Sequence, residues 1–185
     1  MRIWTLNDGP EPVHPDDLSG ISWEVIYDND LERGKRTTRD YPHSFLRDDD
    51  SGDWSQRTGI PSLERDPTLH GGGLQILLSG GRLGLHLDYD HSPVVPARRR
   101  ALSVVAFLNP EWREGWGGAL VFATPEGRVV RRIYPAPNLV VAFECTDLAY
   151  HGVEEVTGPV ARVTLAKSFL VPAGRTRALF IPNRG

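Results

Sequence analysis

The residues best suited to chemistry in this sequence are the pair His86-x-Asp88, a distant His151, and Arg162-x-Thr164 shortly after it. Two imidazoles and one carboxylate can hold a redox-active iron on one face, leaving adjacent positions for a bidentate cosubstrate and dioxygen. An arginine a short strand's length past the second histidine could then grip that cosubstrate's far carboxylate. An HxD tripeptide alone is common by chance, so its placement carries the reading. "GGRLGLHLDYD" sets His86 at the end of a Gly-punctuated β-like run, and "VVAFECTDLAYHGVEEV" sets His151 just beyond an apolar strand. Both flanks show the β-branched and aromatic enrichment of strands bounded by turn residues.

Other side chains compete for these roles. Asp90 would share the face of Asp88 in an extended strand while His91 points the other way. Asp88 is preferred because His and Asp at i and i+2 close a chelate around one metal. His14, His43 and His70 sit in loop-like, exposed contexts. Arg162, Thr164 and Ala166 share one strand face, and a barrel interior holds a cation only if an anion compensates it. A dicarboxylic acid cosubstrate, held by the planar guanidinium, would be that anion. Asn109 could face the same pocket or cap a turn.

The elements that must position these residues are strands. From Gly72 onward the runs "LQILL", "LGLHLDY", "ALSVVAFLN", "GGALVFAT", "RVVRRIYP", "NLVVAFE", "HGVEEV" and "RVTLAKSFLV" are divided by Gly, Pro, Asn or Asp. This is the spacing of an all-β sandwich or barrel, and about eight short strands are what a jelly roll needs. Before them, "GISWEVIYD" alternates like a strand, with Ile21, Trp23, Val25 and Tyr27 on one face.

The blocks "GGRLGLHLDYD", "GGALVFATPEG" and "NLVVAFECTDLAYHGVEEVTGPVARVTLAKSFL" resemble the consecutive core blocks of the 2-oxoglutarate and Fe(II)-dependent dioxygenases, particularly the prolyl 4-hydroxylase-like branch. The resemblance covers about residues 72 to 171. It implies a double-stranded β-helix with His86, Asp88 and His151 as iron ligands, which are also its catalytic residues. Arg162 would partner the C5 carboxylate of 2-oxoglutarate, with the Thr164 hydroxyl beside it. It further implies Fe(II), 2-oxoglutarate as cosubstrate and, as a secondary expectation, stimulation by ascorbate. The expected reaction is hydroxylation of a C–H bond in a small molecule or an amino-acid or peptidyl substrate, prolyl included, with release of succinate and CO2. Related halogenases replace the carboxylate ligand with a small residue, so Asp88 favours hydroxylation. Many relatives also carry a tyrosine on the strand entering the HxD block. Leu77 occupies that position here, which leaves Gln75, Ser79 or Ser103 to supply any replacement contact.

Bulk properties accord with this reading. The chain has 185 residues, the size of one domain, and is read as a single dioxygenase domain over 1–185. Residues 1–70 would be an N-terminal extension with room for one or two helices and a candidate lid, and 72–171 the β core. A net charge of -3 creates no field that would recruit nucleic acid, and the Arg98–Arg100 cluster is too brief to do so. With Cys145 the only cysteine, no intramolecular disulfide can form, and its apolar neighbours suggest a packed thiol. No run approaches the roughly 20 apolar residues of a membrane span. The expected partners are therefore dioxygen and a small-molecule or peptidyl substrate, with no nucleic acid or membrane, in the cytoplasm.

The stretch from Arg36 to Leu69 is long and polar, and Tyr41, Phe45 and Trp54 could make it a lid over the iron. The acidic run Asp48–Asp50 reads as solvated surface, and Trp112 and Trp116 as rim packing. Two other classes fit the same residues. One is a cupin-like binding module without turnover. The other is a metal-dependent hydrolase with Glu144 or Asp147 as general base.

Overall fold

Short runs of Val, Ile, Leu and Phe cut by turn residues can satisfy their backbone polar groups only by pairing sideways. The computed structural model describes residues 1–173. There the runs pair antiparallel as β1 (Ile3–Leu6), β2 (Val25–Asp28), β3 (Glu32–Thr38), β4 (Glu64–Arg65), β5 (Gly73–His86), β6 (Arg98–Phe107), β7 (Leu120–Ala123), β8 (Val129–Ile133), β9 (Val140–Glu144), β10 (Tyr150–Val153) and β11 (Arg162–Pro172). Two short helices, α1 (Ser44–Arg47) and α2 (Ser51–Thr58), lie between β3 and β4. The ladder runs β1-β9-β6-β11-β5-β10-β7-β8, with β3 also on β5, β2 on β3, and β4 on β11.

β5 is what folds this ladder over itself. Its first half, 73–77, pairs with β11, while Leu83 and His86 pair with β10. Between them "LSGG" carries Gly80 at φ 78°, so the strand leaves one sheet and enters the other. The two sheets then face each other as a double-stranded β-helix, as expected. Leu77, Phe107, Phe122, Phe143 and Val153 fill the space between them. A second cluster, including Leu46, Trp54, Leu102, Leu165 and Phe169, lies on the outer face of the larger sheet beneath the helices. Along β11 the period of two sends Val163, Leu165 and Phe169 outward, leaving Arg162 and Thr164 on the inner face.

The N-terminal third departs from several expectations. The strand in "GISWEVIYD" is shorter, only Val25–Asp28, and Trp23 packs against the outer cluster. The polar run "ERGKRTT" is β3, held in place because both of its edges are paired. Nor do the lid aromatics reach the site. Trp54 is buried in the outer cluster and Tyr41 and Phe45 pack against it, across the sheet from His86. Asp50 of the acidic run is likewise structural. Its carboxylate accepts from Lys167 Nζ at 2.7 and 2.8 Å and from Trp54 Nε1 at 2.9 Å, fastening α2 to β11.

Candidate metal centre

His86 ends β5 and His151 lies in β10, and the two are direct partners across the ladder. Cross-strand partners point to the same face, and the two rings stand 4.4 Å apart. His86 Nδ1 lies 3.0 Å from the Gly84 carbonyl and His151 Nδ1 2.9 Å from the Ala149 carbonyl. A carbonyl can only accept, so each Nδ1 carries the proton and each Nε2 keeps its lone pair for a metal. Asp88, two residues past His86, brings Oδ1 to 4.0 Å from His151 Nε2. One donor atom from each of His86, Asp88 and His151 lies within 4.8 Å of the others. This donor set, two neutral imidazoles and a carboxylate, fits a divalent iron with open positions.

The environment keeps His151 and Asp88 in their ligand forms. Burial lowers the pKa of His151 to about 4, against the opposing pull of Asp88, so the ring is neutral near pH 7. Phe143 lies 4.5 Å from it between ring centroids. Burial alone would raise Asp88, but the Arg100 guanidinium overrides it, helped by His151 and Ser103, and holds the carboxyl well below its usual range. Arg100 Nη1 donates to Asp88 Oδ1 at 2.7 Å and Ser103 Oγ to Oδ2 at 2.7 Å. The Cys145 thiol reaches the same Oδ2 at 3.4 Å. Its pKa is pushed up by burial and then by Asp88, which makes it a packed and unreactive thiol.

Arg100 reaches Asp88 because β6 is irregular. Across from β11 the register shifts between Leu102 and Arg100, so Ala101 and Leu102 both join the outer cluster. One extra residue in a strand reverses the faces beyond it, and Arg100 turns inward. Its Nη2 donates to the His70 carbonyl at 2.6 Å and its guanidinium lies 4.1 Å from the Tyr89 ring.

Arg162 opens β11 beside Leu77 and is 3% exposed. Its Nε donates to the Gly118 carbonyl at 2.9 Å, and its guanidinium lies 4.9 Å from the Phe107 ring. Burial alone lowers its pKa to about 9, and among the described residues no carboxylate counters that shift. A cation buried this way calls for a compensating anion, and the described residues offer none. Gly118, at φ 67°, lets Trp112 and Arg162 close in on the backbone, because a Cβ there would stand 2.9 Å from Trp112 Cζ2 and 3.4 Å from Arg162 Cδ. Thr164 is buried two residues on, in register with Gln75 and Phe107.

Other sequence candidates take structural places. Asp90 is exposed and pairs with His91 at 3.3 Å. His14 and His43 cap short helices, and His43 and His70 are half-buried rather than exposed. Asn109 accepts from Val163 N and donates to the Ala161 carbonyl, pinning β6 to β11. Trp112 and Trp116 pack edge to face at 5.6 Å. Of the residues considered for the missing tyrosine contact, Ser103 binds Asp88 and Ser79 is exposed on the turn, while Gln75 donates to the Gly71 carbonyl. Arg100 is the functional residue that sequence reasoning missed. Its only signal was an arginine in a basic cluster at the head of a strand.

A curled double sheet carrying two histidines and an aspartate at one mouth, with a buried arginine that no carboxylate among the described residues pairs, defines the class of iron-dependent oxygenases built on the double-stranded β-helix. Residues 64–169, more than half of the chain, match the model of the 2OG-Fe(II) oxygenase superfamily. The chain belongs to that superfamily and is a 2-oxoglutarate-dependent dioxygenase, with Fe(II) as metal and 2-oxoglutarate as cosubstrate. Its fold is similar to that of a Pseudomonas putida prolyl-4-hydroxylase, at 19% identity and a TM-score of 0.54, over 79% of this chain and 76% of that one. It is also similar to a collagen prolyl hydroxylase of Paramecium bursaria Chlorella virus-1 solved with 2-oxoglutarate, at 15% identity and a TM-score of 0.56, over 76% and 80% of the chains. A Trichoplax adhaerens prolyl hydroxylase bound to a hypoxia-inducible-factor peptide aligns at 14% identity and a TM-score of 0.59, over 90% and 82%. At these identities the likeness is one of fold. No curated protein matches the chain by sequence. Among the described residues no helix is long and apolar enough to cross a membrane.

Proposed function

We propose that this chain hydroxylates a C–H bond of a small molecule or of an amino-acid or peptidyl substrate, prolyl included, with release of succinate and CO2. The observation that carries the reading is the convergence of one donor atom each from His86, Asp88 and His151 within 4.8 Å. In it, the two histidines present Nε2 and Asp88 an ionised carboxylate to one metal. Fe(II), with 2-oxoglutarate and dioxygen, supplies the oxidising power when bound. The chain orients and shields. Arg100 and Ser103 hold Asp88 charged and fixed, and Phe122 and Phe143 keep the His151 side dry. Arg162, with Thr164 beside it, takes the distal carboxylate of 2-oxoglutarate and so sets which end of the cosubstrate meets the metal.

The competing readings find less support. A binding module without turnover has no need of a charge as costly as buried Arg162. For a hydrolase, Glu144 is engaged by Arg2 at 3.0 and 3.2 Å and Asp147 is exposed, so neither is placed as a base. A reducing cytoplasm suits the reading, since Fe(II) persists there and Cys145, the only cysteine, can form no intramolecular disulfide. The test is oxygen-dependent succinate formation by the Fe(II)-loaded chain across a panel of small molecules, amino acids and prolyl peptides. A chain that binds metal and 2-oxoglutarate yet forms no succinate with any of them overturns it.

A further inference from the structure

A cavity of about 270 Å³ opens beside the candidate ligands, and His86 and Asp88 share its lining with Tyr27, Glu32, Lys35 and Gln75. Three of these belong to the β2–β3 hairpin. Lys35 is 7% exposed, and its Nζ donates to Glu32 Oε1 at 2.7 Å while lying 4.9 Å from the Tyr27 ring. Two opposite charges thus face an apolar-backed space within the barrel, with an aromatic ring over the cation.

This arrangement contradicts regular strand geometry. Residues 32 and 35 are an odd number apart, so on an unbroken strand they would face opposite sides. Here Glu32 pairs with Leu83 and Lys35 with Leu77, both of which point into the inner cluster. The register shift that allows this falls between Arg33 and Lys35, at Gly34. Gly34 has φ 61°, and a Cβ there would stand 3.0 Å from Gly81 Cα. A bulge that requires glycine and turns two charges inward beside a metal site is a device for aiming side chains.

We infer that this cavity is the head-group site for a free α-amino acid, Lys35 taking its carboxylate and Glu32 its ammonium. The inference rests on the hydroxylase reading above and narrows its substrate. A zwitterion would exchange one ion pair for two and leave no buried charge unpaired. An interior residue of a peptide carries neither charge, so it would have to break or leave idle the pair already present. A site built around polar groups rejects analogues that cannot meet them. The cavity lies just under the roughly 300–1,000 Å³ of drug-sized clefts, which also suits a small substrate. Arg162 is not among the residues lining this cavity, and it meets Leu77 on the β11 edge of β5 whereas Lys35 meets it on the opposite, β3 edge, which separates Lys35 and Glu32 from the arginine.

The experiment uses the full chain loaded with Zn(II), with and without N-oxalylglycine as an inert cosubstrate analogue. The probes are the common L-amino acids, each beside its N-acetylated, C-amidated form. Binding is read by saturation-transfer NMR and calorimetry, with Mn(II) and 2-oxoglutarate affinities measured separately. At least one free amino acid binds, and its blocked form binds about 100-fold more weakly. Lys35→Met and Glu32→Gln each weaken the free amino acid by a similar factor while 2-oxoglutarate affinity holds, and circular dichroism monitors the fold. The charge-exchanged double variant, Lys35→Glu with Glu32→Lys, recovers part of the loss. Equal binding of free and blocked forms, no binding of any amino acid, or loss of 2-oxoglutarate in place of the amino acid in Lys35→Met overturns the assignment. A chain that takes 2-oxoglutarate but no amino acid sinks this inference alone. One that takes an amino acid but neither Mn(II) nor 2-oxoglutarate sinks the hydroxylase reading instead.

Discussion

Replacing Arg100 by methionine keeps most of its apolar stem but removes the charge that faces Asp88 at 2.7 Å. Both side chains are largely shielded from water, at 7% and 12% exposure. Breaking such a pair from one side costs about 3–5 kcal/mol, because the remaining charge stays buried. For a domain of this size each kcal/mol moves Tm by about 2–4 °C, so the metal-free variant should melt about 6–20 °C below wild type. Burial pushes the Asp88 carboxyl up, and in wild type Arg100 is the largest force pulling it down. The wild-type group therefore adds stability that is complete above an unfolded carboxylate pKa of about 3.9 and fades as pH falls through its lower native value. Without Arg100 the largest force lowering that pKa is gone, so the gap between the proteins should be widest near neutrality and narrow on acidification. A divalent metal restores a positive partner to Asp88, so saturating Mn(II) should recover more stability in the variant than in wild type. Urea and thermal unfolding from low to neutral pH, with and without Mn(II), test all three features. A variant with the wild-type urea midpoint at pH 7 and the same response to Mn(II) would refute the reasoning.

His86→Ala or Asp88→Ala should abolish tight Mn(II) binding by calorimetry while far-UV circular dichroism stays nearly unchanged. Retained binding in both variants would remove them from the metal centre. Arg162→Ala leaves the cosubstrate's distal carboxylate unpaired, a loss of about 2–5 kcal/mol. Its 2-oxoglutarate dissociation constant should rise at least about tenfold with Mn(II) affinity intact, and an unchanged constant would reassign the arginine. Trp54→Ala, at the outer core against Phe169, should cost about 3–5 kcal/mol of folding stability. Because Trp54 lies across the sheet from the metal candidates, 2-oxoglutarate affinity measured on folded protein should not change, whereas an affinity loss with stability preserved would restore the lid.

Part of this molecule was legible before any coordinates. His86 and Asp88 stand at i and i+2, a spacing that strand geometry alone interprets, and the order HxD, His, Arg-x-Thr marks the family because each block is contiguous. The β core was legible for the same reason, since period-two runs bounded by turn residues are local signals. The polar N-terminal third was not. β3 is a strand because β2 and β5 pair with its two edges, and Trp54 is core because α2 docks on β11; both depend on partners far away in the chain.

What only the tertiary structure decided concerns direction. The sequence by itself names Arg100 as one arginine of three and Lys35 as one charge in a polar run. A register shift at Ala101 turns the first onto Asp88, and another at Gly34 turns the second toward Glu32 and the cavity. A one-residue slip exchanges the two faces of a strand. Whether a slip occurs depends on the neighbouring strand's register and on close approaches such as Gly34 to Gly81, neither of which is written in the run of residues itself. Sequence thus named the groups that stand as metal-ligand candidates. Packing decided which groups hold them in place and which charges face the cavity beside them.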